Sequence, residues 1–402
     1  MSADLTLTVQ ETGPGSAYEL TGDQVAALVA VPDLVRLTPA PGGRWNVRGN
    51  QKVGLIRLPT RSGGAIHLRL RPKLGIRDLL FLLSYSSAGP WHPEPVTAAT
   101  ADDLLPALAD LLARTARRTL EGGVLHGYQE VAEELPLIRG RIRTTDQLRR
   151  TGLPLPISVR YDDHTPDIPE NRILLAALNL AAHLPGVPDP TRLALRHLAH
   201  RLHGVRHSHP GEPLPTWTQT RLNARYTSAL RLAELLLSGH SIRQEGNAPT
   251  PADGFLLDLP KVFERFLTVT LGEALAHHGI RCAPQDVHRL DEARRATFRP
   301  DLVLYRGGRP ISVMDAKYTF LKGTSPPVEH LYQLLAYCTA LGISHGHLVY
   351  AATGRSTAPT DHVIRCSPVT ITAHALNLNE PSADLLAQIA ALAGRTAAAA
   401  PA

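Results

Sequence analysis

Two acids and a lysine stand close together near residue 300: Asp301 after Arg299-Pro300, and Asp315 and Lys317 in Met314-Asp315-Ala316-Lys317. Both segments are apolar runs broken by charge, Leu302-Val303-Leu304-Tyr305 and Ile311-Ser312-Val313-Met314. Between them, Arg306-Gly307-Gly308-Arg309-Pro310 has the residues of a chain reversal. A hairpin centred on Gly308 sets residue 301 opposite residue 315. Opposed residues on an antiparallel pair have Cβ atoms about 5 Å apart, so two carboxylates there repel and oppose the pairing. A divalent cation between them reverses that sign. Mg²⁺ takes hard oxygen ligands, usually one or two carboxylates plus water and substrate phosphate. Lys317 follows Asp315 by two residues and so projects from the same face of the strand. There it can position or activate a water for attack on phosphorus, while the metal polarises the phosphoryl oxygen and stabilises charge on the leaving oxygen. Two acids and a lysine on one sheet edge suffice for phosphodiester hydrolysis.

Three further residues belong with this set. A helix over 260–276 turns Phe263, Phe266, Leu267, Thr270 and Leu271 inward, and Glu264 lies at the edge of that face. Its carboxylate can reach the same metal, directly or through water. Gln333 and Tyr337 are four apart on a later helix, so they share a side. They are expected to line the cleft and touch DNA. The plainer reading makes Asp301 and Asp315 strand-end acids paired with arginines. A lone acid–x–lysine string is common. The full order is much rarer: Glu on a helix, Pro-Asp on a strand, DxK on an apolar strand, then QxxxY on a helix.

These residues need a scaffold, and the patterning supplies one. From about residue 246 the chain alternates helix and strand. It predicts a helix over 260–276 with proline near its start and strands over 297–305 and 311–318. A helix over 328–341 closed by Gly342 follows, then a strand over 347–352. Residues 395–402 are alanine-rich and expected to fray. Residues 1–90 read as β-rich: Leu5, Leu7 and Val9 alternate with polar residues, and 53–58 and 65–70 flank a turn. Residues 100–245 read as mainly helical, with helices beginning near Leu104, over 171–184 and over 222–237. The fold class is therefore α+β and α/β in three parts: a β-rich region 1–95, a helical middle 96–245, and an α/β domain 246–402.

The 402 residues carry a formal charge of +6 and a pI of about 9.4. That balance favours a polyanionic partner, because Lys and Arg release counterions from phosphates, but it is modest. Hydrophobic residues at 43% and charged residues at 19% exclude a disordered or fibrous chain. Cys282, Cys338 and Cys366 form no CxxC pair, which suits a reduced, cytoplasmic protein. No signal peptide and no run of 18 apolar residues is present, so no membrane association is expected.

Weaker features have competing readings. Arg139, Arg141, Arg143, Arg149 and Arg150 could grip phosphates, with Arg141 and Arg143 the expected DNA contacts, or form a partner interface or a solvated surface. His197, His200 and His203 recur at helical spacing near His207 and His209, without accompanying carboxylates, and read as a solvated face. Arg160-Tyr161-Asp162-Asp163-His164 and Asp167 read as structural ion pairs or partner surface. No G-x-S-x-G string supports a serine hydrolase.

With these residues in view, the chain resembles McrC, the nuclease subunit of McrBC-type modification-dependent restriction systems, within the PD-(D/E)xK nuclease superfamily. The match runs through FLLDLPKVFER (255–265), FRPD (298–301), MDAKY (314–318) and LYQLLAY (331–337). It continues in LIRGRIR (137–143), RYDDHTPDIPENRI (160–173), RLNARY (221–226) and LRPK (70–73). The resemblance implies a PD-(D/E)xK C-terminal domain with Asp301, Asp315 and Lys317 in the nuclease site, joined by Glu264. It implies an McrB-like AAA+ GTPase partner that this chain stimulates, contacted by the N-terminal and middle parts. It implies cleavage of double-stranded DNA carrying 5-methylcytosine, with Mg²⁺ as cofactor and Mn²⁺ as a substitute. GTP enters only through the partner, since this chain has no G-x-x-x-x-G-K-[ST] motif. Two rival functions remain: a stand-alone repair or recombination nuclease, and a non-catalytic regulator of an AAA+ GTPase.

Overall fold

The alternation at Leu5, Leu7 and Val9 forms a strand, β1 (Leu5–Gln10), whose Leu7 and Val9 are buried. Its partners come from both ends of the chain. The sheet order is β1, β3 (Ala65–Arg71), β2 (Lys52–Pro59), β4 (Asp253–Asp258). β1 runs parallel to β3, and the other two pairings are antiparallel. Gly54 lets β4 lie close: its φ is +144°, and a Cβ there would sit 2.0 Å from the Phe255 carbonyl oxygen. One face of this sheet packs Leu7, Ile56, Leu58, Ile66 and Leu68 against Leu28 and Val47. Each such fully buried aliphatic side chain contributes roughly 1.5–3 kcal/mol. The computed structural model describes residues 4–85, 104–149, 155–207, 212–241, 253–319, 325–354 and 358–399.

β4 leads directly into helix α1 (Leu259–Ala276), whose N-cap Asp258 accepts a hydrogen bond from the Lys261 N–H. Pro260 in the first turn costs no hydrogen bond, because that N–H has no helical partner. The residues read as inward, Phe263, Phe266, Leu267, Thr270 and Leu271, are all buried. A six-stranded mixed sheet follows: β5 (Arg281–Pro284), β6 (Leu302–Arg306), β7 (Arg309–Lys317), β8 (His345–Ala352), β9 (Thr360–Val363) and β10 (Thr370–Asn377), in the order β5-β6-β7-β8-β10-β9. β7 and β8 are parallel and joined by helix α2 (Val328–Leu341), the usual βαβ crossover. Gly342 ends α2 in the left-handed conformation at φ +66°.

Several expectations change here. The strand expected over 297–305 is broken: Thr297–Phe298 pairs with His288–Arg289, and β6 starts only at Leu302. Pro300, which has no N–H to give a ladder, lies in the gap. β4, β5, β9, β10 and the last helix have no counterpart in the expected pattern. That helix, α3 (Ser382–Ala399), runs through the segment expected to fray, because Leu392, Ala393 and Thr396 are buried. Residues 400–402 lie outside the described residues.

By contacts the chain forms two compact units, 1–104 with 239–402 and 105–238. The N-terminal region is thus not a part by itself, since β4 joins its sheet by main-chain hydrogen bonds. The boundaries expected at 95/96 and 245/246 lie outside the described residues. The second unit holds helices Pro169–His183 and Asp189–Arg201 and nearly all of helices Leu104–Glu121 and Thr227–Ser241. It also contains an unexpected antiparallel sheet of Gly127–Leu135, Ile157–Thr165 and Arg141–Ile142. Much of that sheet is solvated, Gly127–Leu135 having no fully buried residue, so apolar alternation could not reveal it.

Candidate active site

The hairpin that carries the acids is set by its turn. Gly307 and Gly308 have φ of +56° and +82°, the signature of a two-residue type I′ loop, which suits strand twist. Arg306 therefore pairs with Arg309 and Tyr305 with Pro310. A hairpin continued in that register would not align 301 with 315. A bulge intervenes: Leu304 pairs with Ser312, so Ile311 is the extra residue, beside Pro310. Beyond it Val303 faces Val313 and Leu302 faces Met314, which brings Asp301 level with Asp315. The alignment expected from a centre on Gly308 is present at the acidic end, but the bulge produces it, not the turn.

Asp301 lies just outside β6. Its Oδ2 accepts the Ala316 N–H at 2.8 Å, across the strand pair. Its Oδ1 accepts from Gln285 Nε2 at 3.1 Å, and the same amide donates to Glu264 Oε1 at 2.7 Å. Glu264, on α1, thus reaches Asp301 through one shared donor. Burial, then the charges of Asp315 and Glu264, push the Asp301 carboxyl up to about 7, against the pull of the Ala316 N–H and Lys317. Asp315 is 3% exposed. Lys317 Nζ lies 2.5 Å from its Oδ2, yet no donor is aligned to that oxygen, so the contact is ionic rather than a directed hydrogen bond.

Lys317 also donates to Gln333 Oε1 at 3.0 Å, and Gln333 Nε2 donates to the Tyr337 hydroxyl at 2.8 Å. The Tyr337 ring stacks on Phe298, centroids 4.9 Å apart. Asp315, Lys317, Gln333 and Tyr337 therefore form one polar chain from β7 to α2. Alternation on β7 sends Lys317 toward α2 and Tyr318 onto Phe263 of α1, centroids 6.0 Å apart.

Asp301, Asp315, Lys317, Glu264, Gln333 and Tyr337 are thus brought together. Arg141 and Arg143 belong to the other compact unit. With Arg139 and Arg160 they border an open pocket of about 870 Å³. Arg143 pairs with Asp146, and Arg139 with Asp163 at 2.7 Å while lying over the Tyr161 ring. Arg150 and His209 lie outside the described residues; His197, His200, His203 and His207 are exposed. Asp167 is held by Arg172 at 2.6 Å, an ion pair within the fold.

Two contributors escaped the sequence reading. Gln285 has an unusual φ of +51°, which no local pattern announces. His330 contacts the Tyr350 hydroxyl at 2.8 Å, and Tyr350 pairs with Lys317 across the sheet. Burial and then Lys317 hold the His330 imidazole below its usual value. Its place three residues before Gln333 was the available signal.

Among the described residues no three acid, imidazole or thiol groups converge as a ready-made metal cage. Asp301 and Asp315 instead offer what a hard cation with its own waters takes, one or two carboxylates. Burial first, and then the like charges of Asp315 and Glu264, raise the Asp301 carboxyl, and a cation bound between the acids would offset that repulsion.

A family profile described as "McrBC 5-methylcytosine restriction system component" matches residues 47–351. No curated protein matches the sequence. Among solved structures, the chain is similar to one in the half-complex from a tetradecameric assembly of Thermococcus gammatolerans McrB AAA+ hexamers with bound McrC. Identity is 18%, coverage 97% of this chain and 99% of that chain, and the TM-score 0.61. A chain of the Thermococcus gammatolerans McrBC complex matches at 20% identity, covering 67% of this chain and 88% of that chain, with a TM-score of 0.42. Among the described residues no helix is long and apolar enough to cross a membrane. Because the profile spans well over half of the 402 residues, the chain belongs to the McrBC restriction system component family.

Proposed function

We propose that this chain is the DNA-cleaving subunit of a modification-dependent restriction system. It hydrolyses phosphodiester bonds with Mg²⁺, for which Mn²⁺ substitutes, and is activated by an McrB-like AAA+ GTPase that it stimulates in turn. The observation that carries the reading is the meeting of Asp301, Asp315 and Lys317 at one strand end, with Glu264 tied to Asp301 through Gln285. Asp301 and Asp315 would hold the cation, with Glu264 beside them. The cation, when bound, neutralises charge on the phosphoryl and leaving oxygens. Lys317, held between Asp315 and Gln333, orients the attacking water. Gln333 and Tyr337 line the DNA side of the cleft, and Arg141 and Arg143 contact phosphates. The Thermococcus gammatolerans assembly of McrB AAA+ hexamers with bound McrC supports the choice of partner, and the family description supports 5-methylcytosine in the target.

The test is plasmid cleavage with Mg²⁺ and GTP, on methylated and unmethylated DNA, with and without the AAA+ GTPase. Asp315→Ala and Lys317→Ala serve as controls. The proposal expects partner-dependent cutting of methylated plasmid that both substitutions abolish. Cutting without the partner would instead make the chain an autonomous nuclease. GTPase stimulation with no cutting under any condition would make it a regulator.

A further inference from the structure

The nuclease reading does not use the N-terminal sheet, yet that sheet touches the segments carrying the site. Glu11 follows β1 and is 0% exposed. Its N–H donates to the Arg71 carbonyl and its own carbonyl accepts from the Gln51 N–H, both at 2.9 Å. Its Oε1 accepts the Lys73 N–H at 2.9 Å and the Tyr318 hydroxyl at 3.1 Å. Its Oε2 is buried with no hydrogen-bond partner. Gln51, in the left-handed conformation at φ +60°, makes two more bonds. Its carbonyl accepts the Leu259 N–H at 3.2 Å, at the start of α1. Its Nε2 donates to the Tyr318 carbonyl at 2.7 Å, just past the end of β7. Tyr318 is therefore held at its carbonyl, its hydroxyl and its ring.

We propose that Glu11 and Gln51 are positioning residues of the active site: by gripping Tyr318 and the first turn of α1, they fix the backbone that aims Lys317 and Glu264. Sequence neighbourhood makes the coupling direct. Lys317 precedes Tyr318, and Phe263, on which the Tyr318 ring packs, precedes Glu264. Successive side chains of a strand leave one backbone toward opposite faces, so a shift of the Tyr318 main chain, held by Gln51, also shifts the adjoining Lys317. A buried carboxyl with an unsatisfied oxygen is a poor choice for packing alone, since desolvating that oxygen is not offset by a hydrogen bond. Burial accordingly raises the Glu11 carboxyl to about 7.

The inference rests on the nuclease reading, and one experiment separates the two. The full chain with its AAA+ GTPase partner is assayed for kcat and KM of plasmid cleavage, GTPase stimulation and melting temperature. The variants are Tyr318→Phe, Gln51→Asn, Glu11→Gln, Glu11→Ala and Asp315→Ala. Tyr318→Phe keeps the ring; Gln51→Asn tolerates the left-handed backbone but is too short to reach the Tyr318 carbonyl. Misplacement of a reacting group by about 1 Å costs on the order of 100-fold. Both variants should therefore lose about 10- to 100-fold in kcat, with KM and GTPase stimulation unchanged. Glu11→Ala should lose likewise. Glu11→Gln should retain cleavage, because the amide oxygen accepts the same two bonds. Wild-type kcat in Tyr318→Phe and Gln51→Asn, with Asp315→Ala inactive, overturns the positioning role and leaves the nuclease reading standing. A wild-type protein that cuts no better than Asp315→Ala refutes the nuclease reading, and this inference with it.

Discussion

Replacing Asp301 by Asn should make the metal-free protein more stable at pH 8 while ending the proposed DNA cleavage. The Asp301 carboxyl rises from an ordinary value of 3.8 to about 7 in the fold. The folded state therefore binds this proton more tightly than the unfolded state does. Any penalty is absent below about pH 4, grows as pH rises toward 7, and is complete above that. The rise from 3.8 to about 7, at about 1.36 kcal/mol per tenfold change in proton affinity, sets a ceiling of about 4 kcal/mol. Partial solvent access roughly halves this. Asn keeps the bond from the Ala316 N–H but sets an amide against Gln285 Nε2, a conflict of about 1 kcal/mol. The net gain is about 1–2 kcal/mol, or roughly 3–6 °C for a unit of this size. Thermal melts at pH 5 and pH 8, with and without Mg²⁺, read it out. The wild type should gain stability from Mg²⁺ at pH 8; Asp301→Asn should gain little. An Asn variant clearly less stable than wild type at pH 8 without metal would refute the argument, since Asp301 would then be a net stabilising group.

Gln285→Ala should leave the fold intact but raise the Mg²⁺ concentration for half-maximal cleavage several-fold, because Glu264 and Asp301 lose their shared donor. An unchanged metal titration would remove Gln285 from the site. The buried pair His347 and His374, 3.1 Å apart, is held neutral by burial, at about 4 and about 3. Their other neighbours are His345, Asp361 and Arg395. Unfolded imidazoles take protons near pH 6.5, so stability should fall as pH drops from about 6.5 toward 4, by on the order of 3 kcal/mol for each imidazole. Denaturant midpoints at pH 7 and pH 5 test this, and His374→Gln should flatten the difference. Equal midpoints in the wild type would contradict the buried neutral pair.

Elements whose signals are local were legible in the residues alone. The 3.6-residue period and Gly342 placed α2 to the residue, because a helix is closed by its own neighbours. The turn glycines, two apolar runs and the DxK spacing placed the acids level across a hairpin, although the bulge at Ile311 was needed to achieve it. Chemistry at this site was legible because Asp301, Asp315 and Lys317 lie within 17 residues of one another. Other features depend on contacts between distant parts of the chain. β4 joins a sheet formed some 200 residues earlier, since main-chain pairing carries no sequence label. The strands Gly127–Leu135 and Arg141–Ile142 bury no complete face, so they left no alternation to read. Gln285 reaches the site by a left-handed turn that Gln rarely takes, and His347 finds His374 only across paired strands. Glu11 and Tyr318 meet across 307 positions. Contacts of that kind depend on which surfaces the whole fold brings together, and no local periodicity encodes them.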